Sequence, residues 1–174
     1  MRLSVNNISH STINGPGNRL VIWVQGCPLH CPGCFNPSTH NLDVSKEMTV
    51  DELVRIINAD TNIEGVTISG GEPLLYPEAL VMLLKKVNNK LTKIVYSGYT
   101  LEEILADEQK QKFLRWVDLA IVGRYDRKLK HPYLGKKFLN VTGKIDLNAF
   151  SPQFKIEYAI ENEQVTRTGI FKHN

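Results

Sequence analysis

The sequence predicts an α/β fold in which parallel strands alternate with helices. Short apolar runs rich in Val and Ile alternate along the chain with longer segments that repeat apolar residues at helical spacing. Each predicted strand leads directly into glycine and polar residues, in the segments "QGCPLHCPGC", "SGGEP", "SGYT" and "GRYD". Because the carboxyl ends of parallel strands meet at one edge of a sheet, these four segments are expected to form the site together.

The individual elements follow in chain order. "NRLVIWVQG" has the pattern of a buried strand, and "TVDELVRIINA" predicts a helix because Thr49 and Glu52 have capping-box spacing. "GVTISGG" predicts a second strand, and "YPEALVMLLKKVNNK" predicts a second helix with proline near its start. "KIVYSGY" predicts a third strand, "TLEEILADEQKQKFLRW" a third capped helix, and "VDLAIVG" a fourth strand. The later runs "KKFLNVTG", "QFKIEYAI" and "QVTRTGIF" predict one more strand and a closing hairpin.

Length and charge exclude several classes of protein. The 174 residues are expected to form one domain, residues 1–174, with 42% hydrophobic and 22% charged residues as in ordinary globular proteins. A net charge of +3 is too small to indicate a nucleic-acid partner. The sequence contains no apolar run of membrane-spanning length, and its opening, "MRLSVNNISHS", lacks the apolar region of a signal peptide. A cytoplasmic protein with reduced thiols is therefore expected.

All three cysteines lie in the segment "GCPLHCPGCFN", at Cys27, Cys31 and Cys34. An odd number of cysteines cannot all form disulfides, and three thiolates this close together are suited to a metal centre. A structural zinc site needs four ligands, so His30 or His40 would have to be the fourth. A chain with such a site would be a zinc-binding interaction module without catalysis. A four-iron cluster would instead keep one iron without a protein ligand, open to a substrate or cofactor. The residues by themselves leave both interpretations open.

The Cys-x-x-x-Cys-x-x-Cys spacing resembles that of the radical S-adenosylmethionine (SAM) superfamily. Five blocks in order, "NGPGNR", "QGCPLHCPGCFN", "SGGEPL", "SGYTLEE" and "VDLAIVGRY", resemble the glycyl-radical-enzyme activases, and within them the short activating proteins of anaerobic ribonucleoside-triphosphate reductase. The resemblance covers a core of about residues 14–125, while residues 136–174 lie outside it. It implies an open partial (β/α) barrel with parallel strands, outer helices and the site at the mouth.

The resemblance also implies the cofactors and the residues that hold them. A 4Fe-4S cluster would be bound by the three cysteines, with SAM on the fourth iron. The implied cofactor-binding residues are Gly33, Cys34, Phe35, Gly70, Gly71, Glu72, Gly123 and Arg124. Three of these residues have an alternative to cofactor binding: Phe35 could pack, Glu72 could support its own turn, and Arg124 could be exposed to solvent. Asn36 is expected to hold the loop. Ser97 and Asp118 are expected with Gly123 and Arg124 at the ends of later strands. No side chain is assigned as a catalytic acid, base or nucleophile, because the cofactors carry the chemistry.

The implied reaction removes a hydrogen atom from a glycine Cα of a large partner enzyme, the anaerobic ribonucleotide reductase, with electrons from a donor such as flavodoxin or ferredoxin. The C-terminal part departs from the family pattern, since "GKKFLNVTGK" replaces a Gly-Ser-Ser-Asn-Gln-like stretch. A radical SAM enzyme that modifies a peptide or small molecule is therefore an alternative. The basic stretch "GRYDRKLKHPYLGKK" is expected to be a solvated loop near the partner rather than an RNA-binding surface.

Overall fold

The computed structural model describes residues 1–43, 46–129, 134–150, 156–161 and 164–169. Seven strands form the main sheet, and two more form a separate antiparallel hairpin. The strands are β1 (Arg2–Ser11), β2 (Arg19–Val24), β3 (Lys46–Thr49), β4 (Gly65–Gly70), β5 (Thr92–Ser97), β6 (Leu119–Val122), β7 (Lys137–Asn140), β8 (Ile156–Glu161) and β9 (Gln164–Gly169). The helices are α1 (Val50–Ala59), α2 (Pro77–Lys86) and α3 (Leu101–Leu105).

The main sheet has the strand order β3-β1-β2-β4-β5-β6-β7. Its four central strands, β2, β4, β5 and β6, run parallel, as the alternation of strands and helices predicted. The flanking strands add antiparallel pairs to this parallel centre: β1 and β7 pair antiparallel with β2 and β6, and β3 pairs antiparallel with β1. The fold is therefore a mixed α/β fold with a parallel centre.

The helices cover one face of this sheet. The expected capping box of α1 is present, since Oγ1 of Thr49 accepts from the Glu52 amide at 3.2 Å and the Glu52 carboxylate accepts from the Thr49 amide at 2.7 Å. The helix α1 packs beside α2, and their buried side chains form one core with the central strands. A smaller cluster on β5 and β6 contains Ile94, Leu119 and Ile121, together with Ile145. No helix among the described residues is long and apolar enough to cross a membrane.

The structure differs from the sequence prediction at β1 and at the third helix. The sequence pattern predicts no element at β1, because its residues are mostly polar. Pairing with β2 places it in the sheet, where Ser9 accepts a hydrogen bond from the Trp23 indole at 2.9 Å. The third predicted helix is interrupted after Leu105, and a 3-10 helix follows at Lys110–Arg115. In the gap the Asp107 carboxylate accepts from the Gln109 and Lys110 amides at 2.9 and 3.0 Å, a local bond that competes with helix continuation.

The amino edge of the parallel strands is structural. Arg19, at the start of β2, is fully buried, and its guanidinium donates to hydroxyl and carbonyl oxygens of Thr67, Thr92, Val66 and Pro16. Burial lowers its pKa to about 10. Asp118 was expected at the functional edge, but it precedes β6 and accepts from the Lys93 amide at 2.8 Å, so it lies at this opposite edge.

Candidate functional site

The carboxyl ends of the four parallel strands are joined by hydrogen bonds. After β4, the Gly71 amide donates to the Val24 carbonyl at 2.8 Å, and the Glu72 amide donates to the Gly26 carbonyl at 2.8 Å. At the other side of β5, the Gly123 amide donates to the Ser97 carbonyl at 3.1 Å. The segments that follow β2, β4, β5 and β6 therefore lie together, as the sequence predicted.

Residues 26–40, here called the cysteine loop, follow β2 and close on themselves. The Gly26 amide donates to the Thr39 carbonyl at 2.9 Å, and the Cys27 amide donates to the His40 carbonyl at 3.4 Å. Gly26 has φ of +93°, a conformation that favours glycine. The loop thus leaves the strand in a sharp turn and returns to its own starting point.

Gln25 holds the base of the cysteine loop, a role that the sequence did not reveal. Its side chain is buried; its amide nitrogen donates to the Asn41 carbonyl at 2.7 Å, and its amide oxygen accepts from Asn6 at 2.9 Å. The Gln25 backbone carbonyl also accepts from the Tyr76 hydroxyl at 2.8 Å. One residue therefore connects the loop to β1 and to the turn before α2.

The three cysteines of the loop are free thiols. Cys27 is buried, whereas Cys31 and Cys34 are half-buried. The Cys34 amide donates to the Cys31 carbonyl at 3.0 Å, and the Asn36 amide donates to Sγ of Cys34 at 3.4 Å. Burial raises the pKa of Cys27 and Cys34, and the nearby charge of Cys31 raises both further. Among the described residues, no three His, Cys, Asp or Glu side chains already converge as a metal site.

Glu72 connects the ends of β4 and β5. Its carboxylate is fully buried, and Oε1 accepts from the Leu74 amide at 2.8 Å and from the Ser97 hydroxyl at 2.9 Å. Oε2 accepts from the Gly98 amide at 2.7 Å. Burial raises the pKa of Glu72, and these three donors act against that shift. Both oxygens of the carboxylate are thus engaged by the protein itself.

The glycines of the SGGEP turn allow its backbone to pack against the cysteine loop. A Cβ on Gly71 would lie 2.2 Å from the Gly26 carbonyl oxygen, and a Cβ on Gly70 would lie 2.6 Å from the backbone nitrogen and oxygen of Val24. Gly98 is less constrained, because a Cβ there would lie 2.5 Å from Cδ1 of Leu29, the end of a side chain that can shift. Gly70 and Gly71 therefore need glycine for backbone packing, whatever else they contact.

The segment after β6 forms a second wall against the cysteine loop. The ring of Phe35, 49% exposed, meets the Tyr125 ring edge-on with centroids 5.3 Å apart. Gly33 has φ of +69°, and a Cβ there would lie 2.6 Å from Cδ of Arg127. The segment after β6 therefore contacts the cysteine loop at two positions next to Cys34, Gly33 and Phe35.

Arg124, in the same wall, is exposed and forms an ion pair. Its guanidinium forms a bidentate pair with Glu103 of α3 at 2.7 and 2.9 Å. It also donates to the Gly98 carbonyl and lies 5.5 Å from the centroid of the Tyr99 ring. Farther along the basic stretch Lys128 is exposed, while Lys130 and His131 lie outside the described residues.

Comparison with known proteins identifies the family. A family model described as a 4Fe-4S single cluster domain matches residues 13–140. The anaerobic ribonucleoside-triphosphate reductase-activating protein of Escherichia coli (strain K12) is 32% identical over 133 residues, which cover 70% of this chain and 84% of that protein. The chain belongs to this family of activating proteins. Its cofactors are those that the resemblance implied, a 4Fe-4S cluster and SAM.

Two more proteins are similar over shorter stretches. The pyruvate formate-lyase-activating enzyme of Clostridium pasteurianum is 42% identical over 107 residues, which cover 56% of this chain and 45% of that protein. Among solved structures, QueE from Escherichia coli is similar with a TM-score of 0.47 and 22% identity, over 57% of this chain and 54% of that one. Both relatives found by sequence, the reductase-activating protein and the pyruvate formate-lyase-activating enzyme, are thus activating proteins.

The residues at the carboxyl edge of the parallel strands fit the family's cofactors. Thiolates are the protein ligands of iron–sulfur clusters, and the three thiols of the cysteine loop are free to serve. His40 lies edge-on to His30, with ring centroids 5.1 Å apart, and its Nε2 is buried without a hydrogen-bond partner among the described residues. The three thiols are therefore compatible with the 4Fe-4S cluster of the family, and one histidine nitrogen beside them is without a hydrogen-bond partner among the described residues.

Lys136 is a second residue that sequence reasoning missed, because it appeared only as one more cation in a basic loop. Its ammonium donates to the Gly123 carbonyl at the end of β6. Burial lowers the pKa of Lys136, and the negative charges of Glu72, Cys31 and Cys34 act in the opposite direction. Spacing in the sequence gives no sign of this position, since β7 brings it back to the site.

Proposed function

We propose that this chain activates a glycyl-radical enzyme by generating a radical on a glycine Cα, and that its partner is an anaerobic ribonucleoside-triphosphate reductase. The proposal rests on the names of its relatives, which are activating proteins of that reductase. The observation that carries it is the placement of three free thiols in one closed loop at the carboxyl edge of the parallel strands. That edge is where α/β folds assemble their sites.

Cys27, Cys31 and Cys34 would bind three irons of the cluster, which leaves the fourth iron for SAM. When bound, the reduced cluster and SAM supply the radical that removes the glycine hydrogen. Cluster binding requires thiolates, and because burial raises the pKa of Cys27 and Cys34, each of these would release a proton to the solvent on binding iron. The Phe35–Tyr125 contact and the side chain of Arg127 over Gly33 would limit access of water to the loop.

The remaining residues would position SAM. Backbone carbonyls of the Gly70–Gly71 turn would accept from its amino group, and the backbone at Gly33, Cys34 and Phe35 would contact the adenine. Glu72 would keep the turn in place through its bonds to β5 instead of contacting the ligand, because both of its oxygens already accept from the protein. Gly123 and Arg124 would line the opposite side of the pocket.

The same proposal includes the shape of the sheet and the source of electrons. We infer that the sheet curves as an open partial barrel, so that a glycine-bearing loop of the partner can enter at the carboxyl edge. A low-potential one-electron donor of the flavodoxin or ferredoxin class would reduce the cluster. Both inferences come from the family to which the chain belongs.

The test is anaerobic activation. The reconstituted and reduced chain is mixed with SAM and with a glycyl-radical enzyme encoded beside it, and the mixture is examined by electron paramagnetic resonance. A persistent glycyl radical that requires all components is expected, and the Cys31→Ala variant should produce none. If the chain cleaves SAM without forming this radical on any co-encoded glycyl-radical enzyme, the peptide- or small-molecule-modifying alternative replaces the proposal.

A further inference from the structure

Lys136 is held at the site by the fold. It directly precedes β7, which pairs antiparallel with β6 through the register Val122 to Lys137. This pairing brings the Lys136 ammonium to the carbonyl of Gly123, at the carboxyl end of β6. The side chain is half-buried, whereas the neighbouring Lys137 is exposed and pairs with Glu102 at 2.5 Å on the surface.

Most of the charges that act on Lys136 are negative. Its hydrogen bond goes to a neutral carbonyl, so the ammonium is not neutralised by that partner. The negative charges that act on it are those of Glu72 and of two cysteines of the loop, Cys31 and Cys34, while the positive charge of Arg124 acts in the opposite sense. Arg127, four residues after Gly123, also lies against the cysteine loop at Gly33. Lys136 is thus a cation fixed beside the thiols that would carry the cluster.

A cation in this position has its largest effect when an electron is added to the cluster. A 4Fe-4S cluster with three thiolate ligands is an anion, and one-electron reduction makes it more negative without breaking a bond or moving a proton. A positive charge that is partly shielded from water stabilises the more negative state to a greater extent. Net charge around a cluster is among the factors that set its reduction potential.

We propose that Lys136 raises the reduction potential of the cluster bound by the cysteine loop, and thereby makes its one-electron reduction easier. The proposal rests on the cluster site of the proposed function and is independent of the partner enzyme. The electron comes from a low-potential one-electron donor, and dithionite is the reductant in the experiment.

The experiment measures the midpoint potential of the reconstituted cluster by a redox titration monitored by electron paramagnetic resonance, without SAM. Lys136→Met removes the charge, and Lys136→Gln removes the charge while keeping a hydrogen-bond donor for Gly123. At a fixed potential, both variants should have a reduced-to-oxidised ratio about tenfold below that of the wild type, equivalent to about 59 mV for a one-electron couple. Lys136→Arg should stay within about twofold of the wild type, since it keeps the charge.

Lys137→Met is the matched control, because it changes the net charge equally one residue away on the exposed surface. Its midpoint should match that of the wild type, and added salt should not abolish the effect at Lys136, since partly buried charges are screened less. Wild-type midpoints in both Lys136→Met and Lys136→Gln would overturn the inference. So would weaker SAM binding at an unchanged midpoint, because the charge would then serve SAM. Absence of a glycyl radical would count against the proposed function but not against this result.

Discussion

Glu72 provides the sharpest test of how the site is held together. In the Glu72→Gln variant the side chain keeps its shape, but one of its two acceptor oxygens becomes an NH₂ group. The two oxygens of Glu72 face backbone amides on different sides, Leu74 at 2.8 Å and Gly98 at 2.7 Å. The Ser97 hydroxyl can rotate to accept instead of donating, whereas a backbone amide cannot. Either orientation of the glutamine therefore leaves one buried amide facing another donor.

The expected cost follows from the burial of the group. Leaving a buried donor without an acceptor costs about 1–3 kcal/mol. The variant also loses charge-assisted hydrogen bonds, but it no longer has to bury a charge, and the second effect offsets part of the first. We expect the free energy of unfolding of the reduced apo chain to fall by about 1–3 kcal/mol in the Glu72→Gln variant. Displacement of Gly98 would also disturb Leu29, because these two residues are in tight contact. Cluster loading should therefore be slower as well.

The assay is urea denaturation at pH 7 under reducing conditions, with Glu78→Gln as the control. Glu78 is exposed in the first turn of α2, so its variant should unfold like the wild type. If Glu72→Gln and the wild type differ by less than about 0.5 kcal/mol, the reasoning from buried bonds is refuted. A loss of SAM affinity without any loss of stability would also refute it, because Glu72 would then serve the ligand.

Three further outcomes are expected. Replacement of any one cysteine of the loop by Ala should abolish iron incorporation, while His40→Ala should retain iron; a histidine variant that loses metal would support the zinc alternative. Gly71→Val should impair cluster loading and not only SAM binding, because its Cβ would collide with the Gly26 carbonyl; a normal cluster with weak SAM binding would contradict this contact. The Asp107 carboxyl, whose pKa is lowered to about 2 chiefly by a hydrogen bond from Lys110, should titrate near that value by nuclear magnetic resonance. The ionised Asp107 carboxylate stabilises the fold above the ordinary Asp pKa of about 4, and this contribution is lost as the pH falls toward 2. The free energy of unfolding should therefore fall less in the Asp107→Asn variant than in the wild type over that range.

The local elements of the sequence were predicted with few errors because each carries a short-range signal. Apolar runs marked β2, β4, β5 and β6, and capping residues marked α1. The third predicted helix failed at Asp107, whose side chain offers the backbone an alternative to helical hydrogen bonds. The strand β1 was missed since its polar residues resemble a loop until β2 supplies a partner.

The chemistry of the site was also present in the sequence. Three cysteines in one segment predicted a metal centre, and the ordered blocks predicted the family that the comparisons identify. The edge where the strands end was predicted because parallel strands share a direction. Spacing alone could not decide between iron and zinc, since both metals accept thiolates.

Only the tertiary structure decided what surrounds the thiols. Gln25, Glu72 and Lys136 act through residues 16, 26 and 13 positions away in the sequence. Arg19 is likewise buried against carbonyls and hydroxyls of other strands, and nothing in its sequence neighbourhood indicates that position. The sequence by itself therefore determined the candidate ligands and the order of the elements, because both depend on neighbouring residues. The charges and hydrogen bonds around the ligands depend on which strands pair, and so only the folded chain determined them.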